Sequence, residues 1–166
     1  MDSKYYKIID RDVDIDIIKK ELSQNQFNET YCLQGLNKTD HPQQWLVKDN
    51  SNKDASTRAH SWATPDQFVE PLFDYPYTNS LLKKYGIGYS RVMILSHRSC
   101  YTYHKDAKVR IHIPIETNED NFFVMNDEVF RLPANGNVYE VDTKTYMHTF
   151  VNASLQPRTH IVGTLI

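Results

Sequence analysis

The second half of the chain alternates apolar and polar positions with a period of two. In its clearest segment Ile111, Ile113 and Ile115 alternate with Arg110 and His112. Successive side chains of a strand point to opposite faces, so the isoleucines are expected to pack beneath helices and the polar pair to face the inside of a barrel. Burying Arg and His is costly without an anion or fixed partners. An exposed polar face is the alternative.

Eight short strands are predicted in this half, separated by turns rich in Asn, Asp and Gly. They are Tyr89–Leu95, Ser99–His104, Val109–Thr117, Asn121–Met125, Glu128–Leu132, Asn137–Val141, His148–Asn152 and Thr159–Leu165. So many short strands in one half of a chain predict a mainly β fold, specifically a double-stranded β-helix, that is, a cupin-like jelly roll.

Residues 1–86 mix helix and strand patterns. The segment Asp12–Ser23 has apolar residues at helical spacing, with acidic residues early and lysines late. The other predicted elements are an edge strand Lys4–Ile9, a strand Thr30–Leu36, a long loop Asn37–Ala63 and a helix Asn79–Tyr85 ended by Gly86. No repeat or linker is visible. We therefore expect one domain, 1–166, in which the helices of residues 1–86 pack on one sheet of a jelly-roll core, residues 87–166.

Composition excludes several classes of protein. Lys and Arg number 19 against 21 Asp and Glu, a formal charge of −2, which gives no basic field for nucleic acid. Cys32 and Cys100 are too few for a disulfide framework, and no stretch reaches the roughly 20 apolar residues of a membrane span. The first residues lack the basic-then-apolar pattern of a secretion signal. We expect a cytoplasmic protein with neither nucleic acid nor membrane as partner; the sequence does not indicate an oligomeric state.

The chemistry is concentrated in an ordered set of polar residues. His104 and Asp106 form an H-x-D step, His148 follows 42 residues later, and Arg158 comes ten residues after that. On an extended strand the two side chains of H-x-D share one face, and a second His completes a 2-His-1-carboxylate site for Fe(II). Arg158 offers the planar fork of donors that suits a carboxylate.

These residues carry a family resemblance that extends over nearly half the chain. The stretch from Arg91 to Leu165 resembles the aspartyl/asparaginyl β-hydroxylases, a family of Fe(II)/2-oxoglutarate-dependent oxygenases, including its cis-proline hydroxylase branch. The similar segments are 104–106, 110–118, 136–138, 148–154 and 158–161.

The resemblance implies a hydroxylase that consumes 2-oxoglutarate and O₂. It places the metal on His104, Asp106 and His148, the distal carboxylate of 2-oxoglutarate on Arg158, and the rest of that co-substrate near Arg110 and His112. The fit is incomplete: residues 96–99 replace the usual turn before H-x-D, and Met93 stands where the animal enzymes have a Ser.

The substrate is left open between a free amino acid and an Asp or Asn side chain of a peptide or protein. A free amino acid would need a cation near the metal, and Arg98 is the candidate, although a solvated loop position is the alternative. The domain is short, which favours a small substrate, whereas the loop 37–63 could fold over a peptide.

Two other functions remain compatible with the residues: a non-catalytic metal-binding jelly-roll module, and a Zn-dependent hydrolase. The remaining histidines are interpreted as structural: His41, His60, His97 and His160. Four aromatic residues could line a pocket mouth or belong to the core: Trp45, Trp62, Tyr101 and Tyr103.

Overall fold

The structure is a computed structural model that describes residues 3–46 and 63–166. In these ranges the chain forms twelve strands, two α-helices and one 3₁₀ helix. In chain order they are β1 (Tyr6–Asp10), α1 (Ile15–Leu22), β2 (Tyr31–Cys32), β3 (Gln34–Gly35), the 3₁₀ helix Pro65–Gln67, β4 (Glu70–Pro71), α2 (Pro76–Lys84), β5 (Ile87–Leu95), β6 (Ser99–Cys100), β7 (Arg110–Glu116), β8 (Asn121–Met125), β9 (Glu128–Phe130), β10 (Val138–Val141), β11 (His148–Asn152) and β12 (Arg158–Leu165).

The strands form antiparallel sheets, so the prediction of a mainly β fold is confirmed. The large sheet has the order β1-β10-β7-β12-β5-β2, the small sheet has the order β6-β11-β8-β9, and β3 pairs with β4. From β5 onward the chain passes back and forth between the two main sheets, except at the hairpin β8-β9, which lies within the small sheet. The strands β5, β7, β10 and β12 belong to the large sheet, and β6, β8, β9 and β11 to the small one.

The outer face of the large sheet is covered by the two helices. Ile111, Ile113 and Ile115 of β7 lie in one apolar cluster with Ile18 of α1 and Leu82 of α2. All five side chains are buried, at 2% exposure or less. The predicted packing of the isoleucines beneath N-terminal helices is therefore confirmed.

The inner face of the large sheet packs against the small sheet. Met93, Val141 and Val162 from the large sheet share an apolar cluster with Phe123 and Phe150 from the small sheet. These residues alternate along their strands with those of the outer cluster, as period-two geometry requires. Residues whose side chains point inward therefore lie between two sheets rather than in solvent.

The helices differ from prediction mainly at their ends. Helix α1 begins at Ile15 because the carboxylate of Asp14 caps it by accepting from the backbone N–H groups of Asp16 and Ile17. Helix α2 begins at Pro76, a residue suited to a first helical turn. It ends before Gly86, whose φ is +61°. No helix in residues 3–46 or 63–166 is both long and apolar enough to cross a membrane.

Helix α2 also has a cap that the sequence analysis missed. The buried carboxylate of Glu21 accepts from the backbone N–H groups of Tyr77 and Thr78 and from the Thr78 hydroxyl, at 2.7–2.8 Å. A carboxylate at a helix N-terminus satisfies free donors and complements the helix dipole. This contact fixes the two helices relative to each other above the sheet.

The region 30–63 departs most from the sequence-based assignment. The predicted strand Thr30–Leu36 is divided into β2 and β3, which belong to different sheets. Residues 37–46 of the predicted loop form turns, in which Asp40 accepts from two backbone N–H groups and from the indole of Trp45. Residues 47–62 of that loop, which include His60 and Trp62, lie outside the described residues.

Candidate metal centre and anion pocket

The two histidines of the predicted triad are brought together by the backbone. His104 and His148 form an isolated antiparallel bridge, with N–H to carbonyl distances of 3.0 and 2.8 Å in the two directions. Their rings are 4.5 Å apart, centroid to centroid. The predicted strand Ser99–His104 is thus reduced to β6 and this bridge, which is enough to fix His104.

Asp106 completes the group from the turn that follows. Its backbone N–H donates to the carbonyl of Thr143 at 2.9 Å. One carboxylate oxygen lies 3.8 Å from Nε2 of His104, and the other lies 3.7 Å from Nε2 of His148. The three residues offer ligand atoms that all lie within 4.8 Å of one another, so the sequence-predicted triad is assembled as a group that could hold a metal ion.

The hydrogen bonds of both rings favour metal binding. Nδ1 of His104 is 2.7 Å from the carbonyl oxygen of Thr102, and Nδ1 of His148 is 3.4 Å from that of Tyr146. A carbonyl only accepts, so each Nδ1 carries the proton and each Nε2 keeps its lone pair toward Asp106. Burial lowers the pKa of His148, which favours the neutral imidazole that a metal requires.

Arg110 holds the Asp106 carboxylate with a two-pronged contact. Its Nε and Nη2 each donate to one carboxylate oxygen at 2.9 Å, and its Nη1 donates to the hydroxyl of Thr164. Burial raises the pKa of Asp106, but the hydrogen bonds and charge of Arg110 outweigh it and hold that pKa well below its ordinary value. Asp106 is therefore a carboxylate in a fixed orientation. Arg110, which the resemblance places near the co-substrate, thus has a partner that the sequence does not indicate.

Arg158 is a buried cation with no carboxylate beside it in the described parts of the chain. The residue is 2% exposed, and its guanidinium lies over the rings of Phe150 and Phe123, at 4.5 and 5.5 Å from their centroids. Its Nη1 has no hydrogen-bond partner. Burial lowers the pKa of Arg158 to about 9, which still leaves it charged at pH 7. Arg158 is therefore not part of a surface salt bridge.

His160, interpreted as structural from the sequence, is the partner of Arg158. Nη2 of Arg158 lies 2.9 Å from Nδ1 of His160. A guanidinium only donates, so Nδ1 accepts and the proton of the neutral ring lies on Nε2. That Nε2 is buried and has no partner. Burial lowers the pKa of His160 well below its ordinary value, consistent with the neutral ring.

His112 extends this polar arrangement toward the metal group. The residue is 1% exposed, its Nδ1 lacks a partner, and its ring lies 5.7 Å from that of His160. Burial lowers its pKa as well. In the sheet register His112 lies opposite Val162, and Arg110 lies opposite Thr164. The inner face of β7 and β12 thus carries a polar track from Arg158 through His160 and His112 to Arg110 and Asp106.

A sequence signal for His160 did exist. The chain contains two R-x-H steps, Arg110-x-His112 and Arg158-x-His160, on the neighbouring strands β7 and β12. In each step both side chains share one face of the strand. Treating the second step like the first would have assigned His160 to the inner face.

The other candidates are placed as follows. Arg98 lies exposed in the turn between β5 and β6, with φ of +50°. Tyr101 and Tyr103 are 37% and 48% exposed on the segment that leads to His104, and Tyr101 packs on Phe150. Trp45 packs edge-on against Phe68.

No protein-family model matches this chain, and no curated protein matches it either.

Proposed function

We propose that this protein is a non-haem Fe(II)/2-oxoglutarate-dependent dioxygenase. It would hydroxylate an unactivated C–H bond of an amino acid, either free or as a side chain in a peptide or protein. The observation that carries the proposal is Arg158, a buried guanidinium without a counter-ion among the described residues, on the same inner face as a His-Asp-His group.

The proposed fold is the double-stranded β-helix of the aspartyl/asparaginyl β-hydroxylase family. Its support is that the chain passes back and forth between two antiparallel sheets from β5 to β12, with the hairpin β8-β9 as the exception. A second support is the position of Arg158 of β12, whose guanidinium lies over Phe123 and Phe150 of the small sheet and so faces the space between the two sheets.

The charge distribution supports 2-oxoglutarate as the co-substrate. A 2-oxo diacid has a chelating end for a metal and a distal carboxylate for a cation. Arg158 lacks an anion, and the buried Nε2 of His160 lacks an acceptor. A distal carboxylate placed between them would satisfy both groups. Neither a metal-stabilised binding module nor a Zn hydrolase requires a buried Arg158 without a counter-ion.

The residues of the chain would bind, orient and exclude water. His104, Asp106 and His148 would hold Fe(II), and Arg110 would keep the Asp106 carboxylate turned toward it. The rings of Phe123 and Phe150 screen Arg158 from water, which strengthens its attraction for a carboxylate. When bound, the metal and 2-oxoglutarate supply the activation of O₂ and the oxidation of the C–H bond.

The test is an anaerobic titration with Fe(II) and 2-oxoglutarate, which follows the weak visible charge-transfer band of their chelate. The wild-type protein should develop the band. The Arg158→Met variant should need at least about 30-fold more 2-oxoglutarate to develop the same band. The reason is that the loss of a buried charge-assisted pair costs roughly 2–5 kcal/mol of binding free energy. Arg98→Met is the matched control, because Arg98 is exposed.

Fe(II) affinity should stay the same in both variants. An absent band together with tight Zn²⁺ binding would favour the rival functions. An unchanged 2-oxoglutarate requirement in Arg158→Met would remove Arg158 from the co-substrate site.

A further inference from the structure

A second buried cation lies on the inner face of the large sheet, away from the polar track. Arg91 of β5 is 8% exposed, and its guanidinium lies 4.8 Å from the centroid of the Tyr89 ring. Its Nε is buried without a hydrogen-bond partner. No carboxylate of the described chain pairs with it. A cation removed from water in this way is costly unless an anion completes the site.

The sheet register places Arg91 near the metal centre. Arg91 lies opposite Val162 of β12, and the same Val162 lies opposite His112 of β7. Neighbouring strands are about 4.8 Å apart, so the backbones of Arg91 and His112 are separated by roughly 10 Å across one face. His112 shares its strand face with Arg110, whose guanidinium holds the carboxylate of Asp106. Arg91 therefore borders the space beside the metal group from the β5 side.

The surroundings of Arg91 are apolar and aromatic. Cys32 lies opposite it in β2, and Cys32, Ala63, Phe68 and Tyr89 form one buried cluster. Burial raises the pKa of Tyr101, and the positive charges of Arg91 and Arg158 both oppose that rise. A single positive charge beside an apolar wall suits a ligand that has one anionic group and an apolar body.

We propose that Arg91 binds the carboxylate of the primary substrate, and that this substrate is a free amino acid with an apolar side chain. The site is a second anion subsite, distinct from the one at Arg158. Arg91 replaces Arg98 in this role, because Arg98 lies exposed in a turn whereas Arg91 is buried and turned inward. A residue inside a peptide carries no α-carboxylate, and the acidic side chains that do carry a carboxylate lack the apolar body. The assignment of the ligand as a substrate rests on the proposed function, whereas the anion site does not.

The test compares acids with their amides. The twenty L-amino acids are titrated calorimetrically into the full chain, first alone and then anaerobically with Fe(II) and 2-oxoglutarate. Each amino acid that binds is repeated as its C-terminal amide, which has the same body without the carboxylate. We expect at least one amino acid to bind and its amide to bind about 30-fold more weakly or worse.

Three variants identify the cation. Arg91→Met keeps a chain that packs on Tyr89 but removes the charge, and should lower affinity for the acid about as much as amidation does. Arg91→Lys should retain part of the affinity, and Arg98→Met should retain all of it. Circular dichroism checks that each variant is folded, and Arg91→Lys covers the case in which Arg91→Met does not fold.

Equal binding of acid and amide, unchanged affinity in Arg91→Met or in Arg91→Lys, or the failure of every amino acid to bind would overturn the proposal. The iron chelate band is measured in the same variants. A normal band without acid binding contradicts only this inference. Acid binding at Arg91 without any band contradicts only the dioxygenase.

Discussion

The two faces of the large sheet are built on the same strands but have opposite chemistry. On the outer face Ile113 and its neighbours are sealed beneath two helices. On the inner face the alternate positions of the same strands carry Arg and His. Five buried side-chain atoms of the described residues lack a hydrogen-bond partner, and four of them lie on the inner face: Arg91 Nε, His112 Nδ1, Arg158 Nη1 and His160 Nε2.

This difference assigns separate tasks to the two faces. Buried polar atoms are nearly always paired in folded proteins, so unpaired ones concentrated on one face indicate groups that await a ligand. Unpaired polar groups on the inner face lower the free energy of unfolding, and the apolar packing of the outer face must compensate for that loss. A ligand that satisfies the inner groups should accordingly stabilise the protein, by an amount that grows with its concentration.

The largest expected effect is on the inner face, at Asp106. Replacing Asp106 with Ala removes a metal ligand and leaves the buried Arg110 without its carboxylate. We expect measurable Fe(II) binding and turnover to be abolished. Asp120→Ala, which removes an exposed carboxylate, should leave both intact. Metal titration and activity measurement compare the two variants with the wild-type protein, and circular dichroism verifies that each variant is folded. Full Fe(II) occupancy in Asp106→Ala would contradict the triad.

The counterpart on the outer face is Ile113, which is fully buried. Ile113→Ala leaves a cavity beneath the helices and should lower the free energy of unfolding by about 2–5 kcal/mol. Affinities for Fe(II) and 2-oxoglutarate in the folded protein should stay within about twofold. Ile17→Ala on α1 is the control, because Ile17 is 41% exposed, and it should change stability little. Denaturant unfolding measures both variants. A large loss of Fe(II) affinity in Ile113→Ala would mean that the two faces are not separable.

The sequence allowed the sheet faces to be predicted because their signal is local. Period-two alternation assigns Ile113 outward and Arg110 inward without knowledge of any partner. The triad could be predicted for a similar reason, since H-x-D fixes two ligands on one face and His148 begins a strand. The only long-range contact required to assemble the triad was then the antiparallel bridge between His104 and His148.

Contacts between distant segments could not be predicted in this way. The cap of Glu21 on α2 depends on two helices meeting, and the pairing of Arg110 with Asp106 depends on how the intervening turn closes. A related reason explains why the sequence alone did not assign Arg91 and His160 to a site. Whether a buried cation has a counter-ion depends on all the neighbouring strands, and no spacing within one strand determines that.

A smaller effect on the inner face is expected at His160. His160→Phe fills the same space but removes the Nε2 donor proposed to assist Arg158. We expect 2-oxoglutarate affinity to fall about tenfold, the effect of one buried hydrogen bond of roughly 1.4 kcal/mol. His160→Gln can both accept from Arg158 and donate, so it should retain most of the affinity. Chelate titration compares the variants. Equal affinity for wild type and His160→Phe would assign His160 to packing alone.

The smallest effect concerns a charge pair at the periphery, which contrasts with the buried pair of Asp106 and Arg110. Asp10, at the end of β1, accepts from Lys84 and from the hydroxyl of Tyr85, which ties the strand to α2. Hydrogen bonds from Lys84, from Tyr85 and from backbone N–H groups hold the pKa of Asp10 below its ordinary value. Lys84 is 59% exposed, so solvent screening limits this contact to below about 1 kcal/mol.

The sign of its pH dependence follows from the lowered pKa. The folded state favours the charged carboxylate, so the stabilisation is complete above the unfolded pKa of about 3.9 and is lost as the pH falls through the lower folded pKa. Asp10→Asn should therefore be slightly less stable than wild type at pH 7, and the two should converge in acid. Salt should narrow the difference at pH 7, since an exposed pair is screened. Urea unfolding at pH 7 and at pH 3, with and without added salt, measures these differences. A stability gap that widens toward pH 3 would show that Asp10 does not act through its charge.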